Sequence, residues 1–438
     1  MLRWLRRRIC QRCFFLLRRI GVVAFFCGLG TICLLASIIC LVYTFRSQLF
    51  DSLIKCSDKE SNIYIDDFCQ LYRQGEITGS LCHPLCQTGQ VKFSACTNFH
   101  GGKQVQMMKC NDFCQQGRTI SSALKSPNHN ISRILSDHPG LLPTDAESSN
   151  FKNYMNEALR ERVRLELGFD PIPPDTDVLK LMWEEDYEQF LGTSENRTAA
   201  YRTIMMLMEQ TEYLLGKVLY GSGVVPRLYG TCGPLYLQES CPPGLLDRYI
   251  ISVARTTPAP VSWQQEASTG IKLLKLIKQL EEDFPQVLHS CDVKGSNFGV
   301  CDDGSVRIID ADNLFFHKQM MDIFNRSTCK THSDCNFFDC GGWCYVDSGT
   351  CWKGITNNNL QTMCRDVLKH PYMGLFNWGE MLSDAPASIA GKLSAAVEEC
   401  VSSHTSEENG IPVNKPPLSV LAKIMQLLMQ SAIGEEVL

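Results

Sequence analysis

The sequence predicts an α+β fold in two lobes with disulfide-rich additions, carried behind one transmembrane helix. Three observations predict it: a charge-free run near the N-terminus, a concentration of cysteines beyond that run, and strand-like segments that precede strongly helical ones.

The run from Ile20 to Tyr43 holds 24 residues without a charge. A helix of that length crosses the hydrocarbon core of about 30 Å. A cleaved leader has an apolar stretch of only about 7–15 residues before its cutting site, so this run reads as a retained signal anchor embedded in the lipid bilayer. Arg3, Arg6, Arg7, Arg8, Arg12, Arg18 and Arg19 precede it, while only Arg46 and Lys55 follow it closely. Basic flanks stay cytosolic, so residues 1–19 become a cytosolic tail and the bulk faces the lumen of the secretory pathway, a single-pass type II arrangement. The arginines either set topology alone or also act as an endoplasmic reticulum retention signal; the Golgi is the other candidate compartment.

Of the 23 cysteines, 18 lie beyond the span, an even number suited to disulfides in an oxidising compartment. Residues 44–90 read as a luminal stalk and the start of a cluster formed by Cys56, Cys69, Cys82, Cys86 and Cys96. Disulfides suit it better than zinc, because no His stands at finger spacing. Sequons at Asn130, Asn196 and Asn325 fall on the same side as these cysteines, where glycosylation requires them. A net charge of −5 and no basic stripe interleaved with aromatics argue against nucleic acid as a partner.

Strand-like runs follow at Val91 to Thr97, Gln104 to Lys109 and Thr119 to Lys125, then amphipathic helical runs at Phe151 to Leu167 and Ala199 to Leu219. Leu228 to Glu239 reads as a hairpin around Gly233-Pro234. Ile271 to Leu280 is helical, with Leu273, Leu274, Ile277 and Leu280 on one face. The last helix, Leu418 to Gln430, has the spacing of a core-packed element. Residues 91–240 thus form a first lobe with a helical insertion, and 241–438 a second lobe with a cysteine-rich insertion at 329–364.

The chemistry concentrates in Leu288-His-Ser-Cys-Asp-Val-Lys-Gly-Ser-Asn and, after a turn, Val306-Arg-Ile-Ile-Asp-Ala-Asp. Phosphoryl transfer of the kinase type needs a carboxylate to take the substrate hydroxyl's proton, a Lys to screen the γ-phosphate, an Asn for a metal ion and a second carboxylate after a strand. Asp292, Lys294, Asn297 and Asp310 match that set in order and spacing. They resemble the Asp-x-Lys-x-x-Asn catalytic loop of protein kinases and the strand that ends in their metal-binding Asp. Departures are plain. Ser290 stands where a His is usual, with His289 one position back; Cys291 takes the Arg place, and Asp310-Ala-Asp replaces Asp-Phe-Gly, which puts control by activation-loop phosphorylation in doubt.

Downstream come Cys329, Cys335-Asn-Phe-Phe-Asp-Cys340, Cys344, Cys351 and Cys364. With the anchor and the catalytic loop, this block resembles the divergent protein kinase domain 1 family, cysteine-rich type II membrane proteins of the endoplasmic reticulum. The resemblance implies a kinase-like fold, luminal disulfides and a poorly defined substrate. Some members carry an EF-hand calcium loop; Asp170, Asp175 and Asp177 lie among prolines without its Gly and twelfth-position Glu, so no such site is expected here.

Kinases place a Lys at the end of the third strand, paired with a helical Glu. Lys125 is preferred over Lys109, which would compress the sheet, and Glu157 over Glu161 as its partner. The turn at Gly101-Gly102 lacks the usual phosphate-covering glycine pattern, and Leu237-Gln-Glu-Ser, with Glu239, is the expected adenine-side hinge. The reading is a luminal protein-kinase-like domain that binds ATP with Mg²⁺ or Mn²⁺ and acts on luminal proteins or glycans. Its rivals are an inactive pseudokinase scaffold and a disulfide module acting as receptor or ligand.

Overall fold

The computed structural model describes residues 57–98, 103–127, 150–184, 186–242, 262–325, 328–369, 382, 385–402, 406–408, 411–413 and 418–434. The predicted span at 20–43, Cys56, Asn130 and the Gly101-Gly102 turn lie outside them. Among the described residues, no helix is long and apolar enough to cross a membrane.

α1 (Asp58–Arg73) starts at Ser57, whose hydroxyl accepts from the Glu60 amide, and it buries Tyr64, Ile65, Phe68, Cys69 and Leu71. Three strands follow: β1 (Val91–Asn98), β2 (Lys103–Asn111) and β3 (Thr119–Pro127). Then come α2 (Phe151–Leu167), α3 (Val178–Met182), α4 (Ser194–Met208) and α5 (Thr211–Val218), and the hairpin β4 (Leu228–Cys232) and β5 (Leu235–Glu239). The strands form one antiparallel sheet in the order β1-β2-β3-β5-β4.

The three strand-like runs and the hairpin therefore stand where their alternation predicts. The single helix expected from Ala199 to Leu219 does not. It breaks at Gln210, which is extended and whose side-chain Nε2 donates to the carbonyl of Pro234 in the β4–β5 turn at 2.8 Å. The restart places Glu212 in the first turn of α5, where helix dipoles favour an acid.

The second lobe opens with α6 (Trp263–Glu282), started by a reciprocal capping box between Ser262 and Gln265. β6 (Leu288–Ser290), β7 (Phe298–Val300), β8 (Val306–Ile308) and β9 (Leu314–Phe316) follow. β6 pairs with β9 and β7 with β8, so the loop between β6 and β7 is held at both ends. α7 (His317–Asn325), β10 (Cys344–Tyr345), β11 (Thr350–Cys351), α8 (Asn359–Met363) and α9 (Ala387–Ser402) come next. The last described elements are β12 (Ser406–Glu408), β13 (Ile411–Val413) and α10 (Leu418–Gly434). α10 packs on α6 and α9, as the core-packed reading requires, with Val420, Leu421, Ile424 and Leu428 buried. Asn196 and Asn325 are exposed, as carriers of a glycan must be.

Disulfides tie these elements. Cys69 pairs with Cys86 and Cys82 with Cys232, so the N-terminal cluster is laced to the first-lobe sheet; Cys96 is also disulfide-bonded. Cys110 bonds Cys114, and Cys241 bonds Cys301. Within the later block Cys329 bonds Cys344 and Cys335 bonds Cys351, while Cys340 reaches Cys291 and Cys364 reaches Cys400. Among the described residues that block pairs with itself and the second lobe, never with the first cluster, which is the pattern of a stapled insertion.

The Cys82–Cys232 bridge closes a separation of 150 residues, and cross-links over long loops restrict the unfolded chain most. Replacing both with Ser should lower unfolding free energy by about 2–5 kcal/mol. Equal chemical denaturation midpoints for the wild type and the double variant would show that the segment docks without help from the bridge.

Candidate functional site

Side chains alternate across a strand, so Lys103, Val105 and Met107 of β2 share a face with Ala123, Lys125 and Pro127 of β3, paired in register as Lys103 with Pro127 and Val105 with Lys125. That face roofs a cleft of about 770 Å³, whose far wall is Asn297, Ile309, Asp310 and Asp312. Of the residues predicted from sequence, Lys125, Glu239, Asn297 and Asp310 therefore meet on one cleft.

Lys125 is buried and its ammonium pairs with Glu212, not Glu157; it also donates to the Ile309 carbonyl at 2.6 Å. Glu157 is a correction with a simple cause. α2 buries Phe151, Met155, Leu159, Val163 and Leu167, and Glu157 lies off that stripe, exposed. Lys109 is exposed as well; alternation keeps it on the face of Lys103, Val105 and Met107, but it stands further along β2 than the residues that line the cleft.

Sequence reasoning missed Lys103, which closes the turn Asn98-Phe-His-Gly-Gly-Lys ahead of the strand expected from Gln104. Its ammonium pairs with Glu212 and lies 3.2 Å from Asp310 and 2.7 Å from Asp312. Its regular alternation with Val105 and Met107 was the available signal. Burial opposes charge on Lys103, but Glu212, Asp312 and Asp310 outweigh it and raise its pKa above the lysine range. Burial likewise pushes the Glu212 carboxyl up, and the two ammonium groups more than reverse this, holding it at about 2. Asp312 is raised by burial despite Lys103.

The expected hinge segment lines the cleft through Gln238, Glu239 and Ser240. Glu239 lies inside β5, paired with Ser122 of β3, and its amide donates to Arg227. Its carboxylate is taken by buried Arg307. The free connector begins at Ser240, and Val300 donates to the Pro242 carbonyl at 2.9 Å beside the Cys241–Cys301 bridge.

The loop between β6 and β7 presents Asp292, whose Oδ2 accepts from Lys294 at 2.9 Å and from the Asn297 amide at 3.0 Å. Asn297 Nδ2 also donates to the Asp292 carbonyl at 2.9 Å, so one amide fixes both backbone and carboxylate. The loop is braced from the cysteine block: Val293 donates to Asp339 at 2.7 Å, the Asp339 amide donates to the Cys291 carbonyl at 2.8 Å, and Cys291 is bonded to Cys340. Burial, and then His317, lower the His289 pKa to about 3, so it remains neutral, with Nε2 3.1 Å from His317 Nδ1.

Oxygen atoms of Glu212, Asp310 and Asp312 lie within 4.8 Å of one another, a donor set of the kind hard divalent ions take. With two lysines overhead and the half-exposed Asp310 and Asp312 below, the residues fit a metal-bound polyphosphate.

Glu212→Ala removes the shared counter-charge of two partly or wholly buried lysines and should cost about 3–5 kcal/mol, whereas Glu157→Ala should stay within about 0.5 kcal/mol. The Glu212 contribution is complete above pH 4.5 and is lost as pH falls toward about 2. Denaturation of both variants checks this; equal effects would restore Glu157 as the partner.

Two family models match the chain. The one described as the N-terminal cysteine-rich endoplasmic reticulum region of FAM69 covers residues 23–167. The one described as the protein-kinase domain of FAM69 covers residues 204–403. The second contains Glu212, Asp292, Asn297, Asp310 and the cysteine block; the first contains both cleft lysines. The chain belongs to the FAM69 family, the divergent protein kinase domain 1 family, and carries its kinase-like domain.

Proposed function

We propose that this chain is a protein-kinase-like phosphotransferase of the endoplasmic reticulum, anchored by residues 20–43 with its catalytic bulk in the lumen. It binds ATP with Mg²⁺ or Mn²⁺ and acts on hydroxyl groups of luminal proteins or glycans. The observation that carries the reading is the convergence of Lys125–Glu212, Asn297 and Asp310 on one cleft beside Asp292.

Lys125 suits the α- and β-phosphates, because it is buried and oriented by Glu212. Asp310 and Asn297 suit the metal ion, which would neutralise phosphate charge when bound. Asp292, held by Lys294 and Asn297, suits the role of base. The substrate oxygen would lose its proton to Asp292 and bond to the γ-phosphorus as the bond to the β–γ bridging oxygen breaks, so that ADP leaves with that electron pair. The luminal side is supported by the disulfides themselves, since such bridges persist in oxidising compartments.

One observation favours the rival, a nucleotide-binding scaffold without transfer: Lys103 already lies against Asp310 and Asp312. Thermal shift of the full chain in detergent, with ATP plus Mn²⁺ or Mg²⁺, separates the readings together with a phosphotransfer assay. A metal-dependent shift lost in Asp310→Asn is expected. Asp292→Asn should keep the shift and lose transfer by roughly 10²–10⁴-fold. Absence of any shift in folded wild type would overturn nucleotide binding; a shift without transfer would establish the scaffold.

A further inference from the structure

Two ammonium groups, Lys103 and Lys125, face three carboxylates in the cleft, and they do not share them evenly. Lys125 is committed to Glu212 and to the Ile309 carbonyl. Lys103 reaches further, bridging Glu212 to Asp310 and Asp312 at the open side, where those two side chains are 44 % and 45 % exposed. Its ammonium thus holds the place of a cation among oxygen ligands that would suit a divalent ion. With Lys125 alone, the three carboxylates would carry two uncompensated negative charges, the charge that one such ion neutralises.

The tether makes this an exchangeable contact. Lys103 is the first residue of β2, at the strand's end, and its long flexible stem lies over the cleft from the same sheet face as Lys125. Displacing its head from Asp310 and Asp312 needs only rotation about the stem. A ligand that brings negative charge above the carboxylates offers the ammonium an alternative partner; a bare metal ion offers it none and must meet it in repulsion.

Building on the nucleotide reading above, we propose that Lys103 is a built-in counter-cation that closes the cleft to free divalent metal and admits metal only with a polyphosphate, whose oxygens take over the Lys103 ammonium. The site therefore selects the metal–nucleotide complex rather than assembling from metal first. Lys103 acts as a specificity residue that moves from carboxylates to phosphate, and Lys125 remains with Glu212 throughout.

The test titrates Mn²⁺ alone, then Mn²⁺ with ATP, into the full-length chain in detergent, with bound Mn²⁺ read by electron paramagnetic resonance. Wild type should show no tight site for Mn²⁺ alone. Lys103→Met should gain one, roughly tenfold tighter or more, and Lys103→Met combined with Asp310→Asn should lose it again. Lys103→Gln serves the same comparison should the Met variant fail to fold. With Mn²⁺ and ATP together, wild type should bind, and Lys103→Met should bind the nucleotide more weakly. The inference falls if wild type and both Lys103 variants bind free Mn²⁺ alike, even where Mn²⁺ with ATP still binds. Conversely, a gain of free Mn²⁺ binding in Lys103→Met without any ATP binding in wild type would uphold the counter-cation and overturn the nucleotide reading alone.

Discussion

The cleft depends on one buried carboxylate. Glu212, almost fully enclosed at the start of α5, is held between Lys125 of β3 and Lys103 of β2. An isolated charge there would be expelled or neutralised; two opposed cations reverse that balance. Because Lys103 continues to Asp310 and Asp312, and Lys125 to the Ile309 carbonyl, the same knot joins the first-lobe sheet, α5 and the chain after β8. Charge thus joins the two walls of the cleft, beside an apolar core that also runs from Tyr213 and Tyr236 of the first lobe to Leu273 and Phe298 of the second.

Such a knot needs its parts held in place, and covalent bonds do much of the holding. Cys82–Cys232 ties the N-terminal cluster to β4, and Cys241–Cys301 pins the connector between lobes to the end of β7. The third, Cys291–Cys340, fastens the residue before Asp292 to the insertion that follows Asp310. Protein kinases place an Arg where Cys291 stands, and the resemblance put phosphate control of that segment in doubt. Here a disulfide and the Asp339 hydrogen bonds supply the connection instead. The brace on this loop is thus a covalent bond and backbone hydrogen bonds, in the place where protein kinases use an Arg.

What the sequence disclosed and what it hid follow from range. The strands at 91–127 and the hairpin were legible because alternation and a Gly-Pro turn are local signals. Asp292, Lys294 and Asn297 were legible because their spacing is itself the chemistry, and the fold brings them into mutual hydrogen bonds. Glu212 was not legible. More than 80 residues separate it from Lys125, and α2, the first described helix after β3, offered nearer glutamates. The buried stripe of α2 was readable and already argued against Glu157, since that position falls between Met155 and Leu159. Cysteine partners were beyond reach on principle, because spacing does not determine connectivity. Nothing local to Cys291 announces Cys340.

The two family matches meet inside one sheet. β3 lies in the cysteine-rich match and β5 in the kinase match, and they pair from Ser122 with Glu239 to Lys125 with Tyr236. Separating the two regions would leave β3 and β5 with raw edges, which sheets tolerate poorly. It would also divide Lys125 from Glu212, leaving each charge without its partner. The cysteine-rich region is therefore half of the first lobe rather than a module placed before it. Its disulfides act on the cleft directly: Cys82–Cys232 crosses from one match to the other and fixes the strand that lies beside β5. The bridge and the Lys125–Glu212 pair are in this way built into the same sheet-and-helix unit.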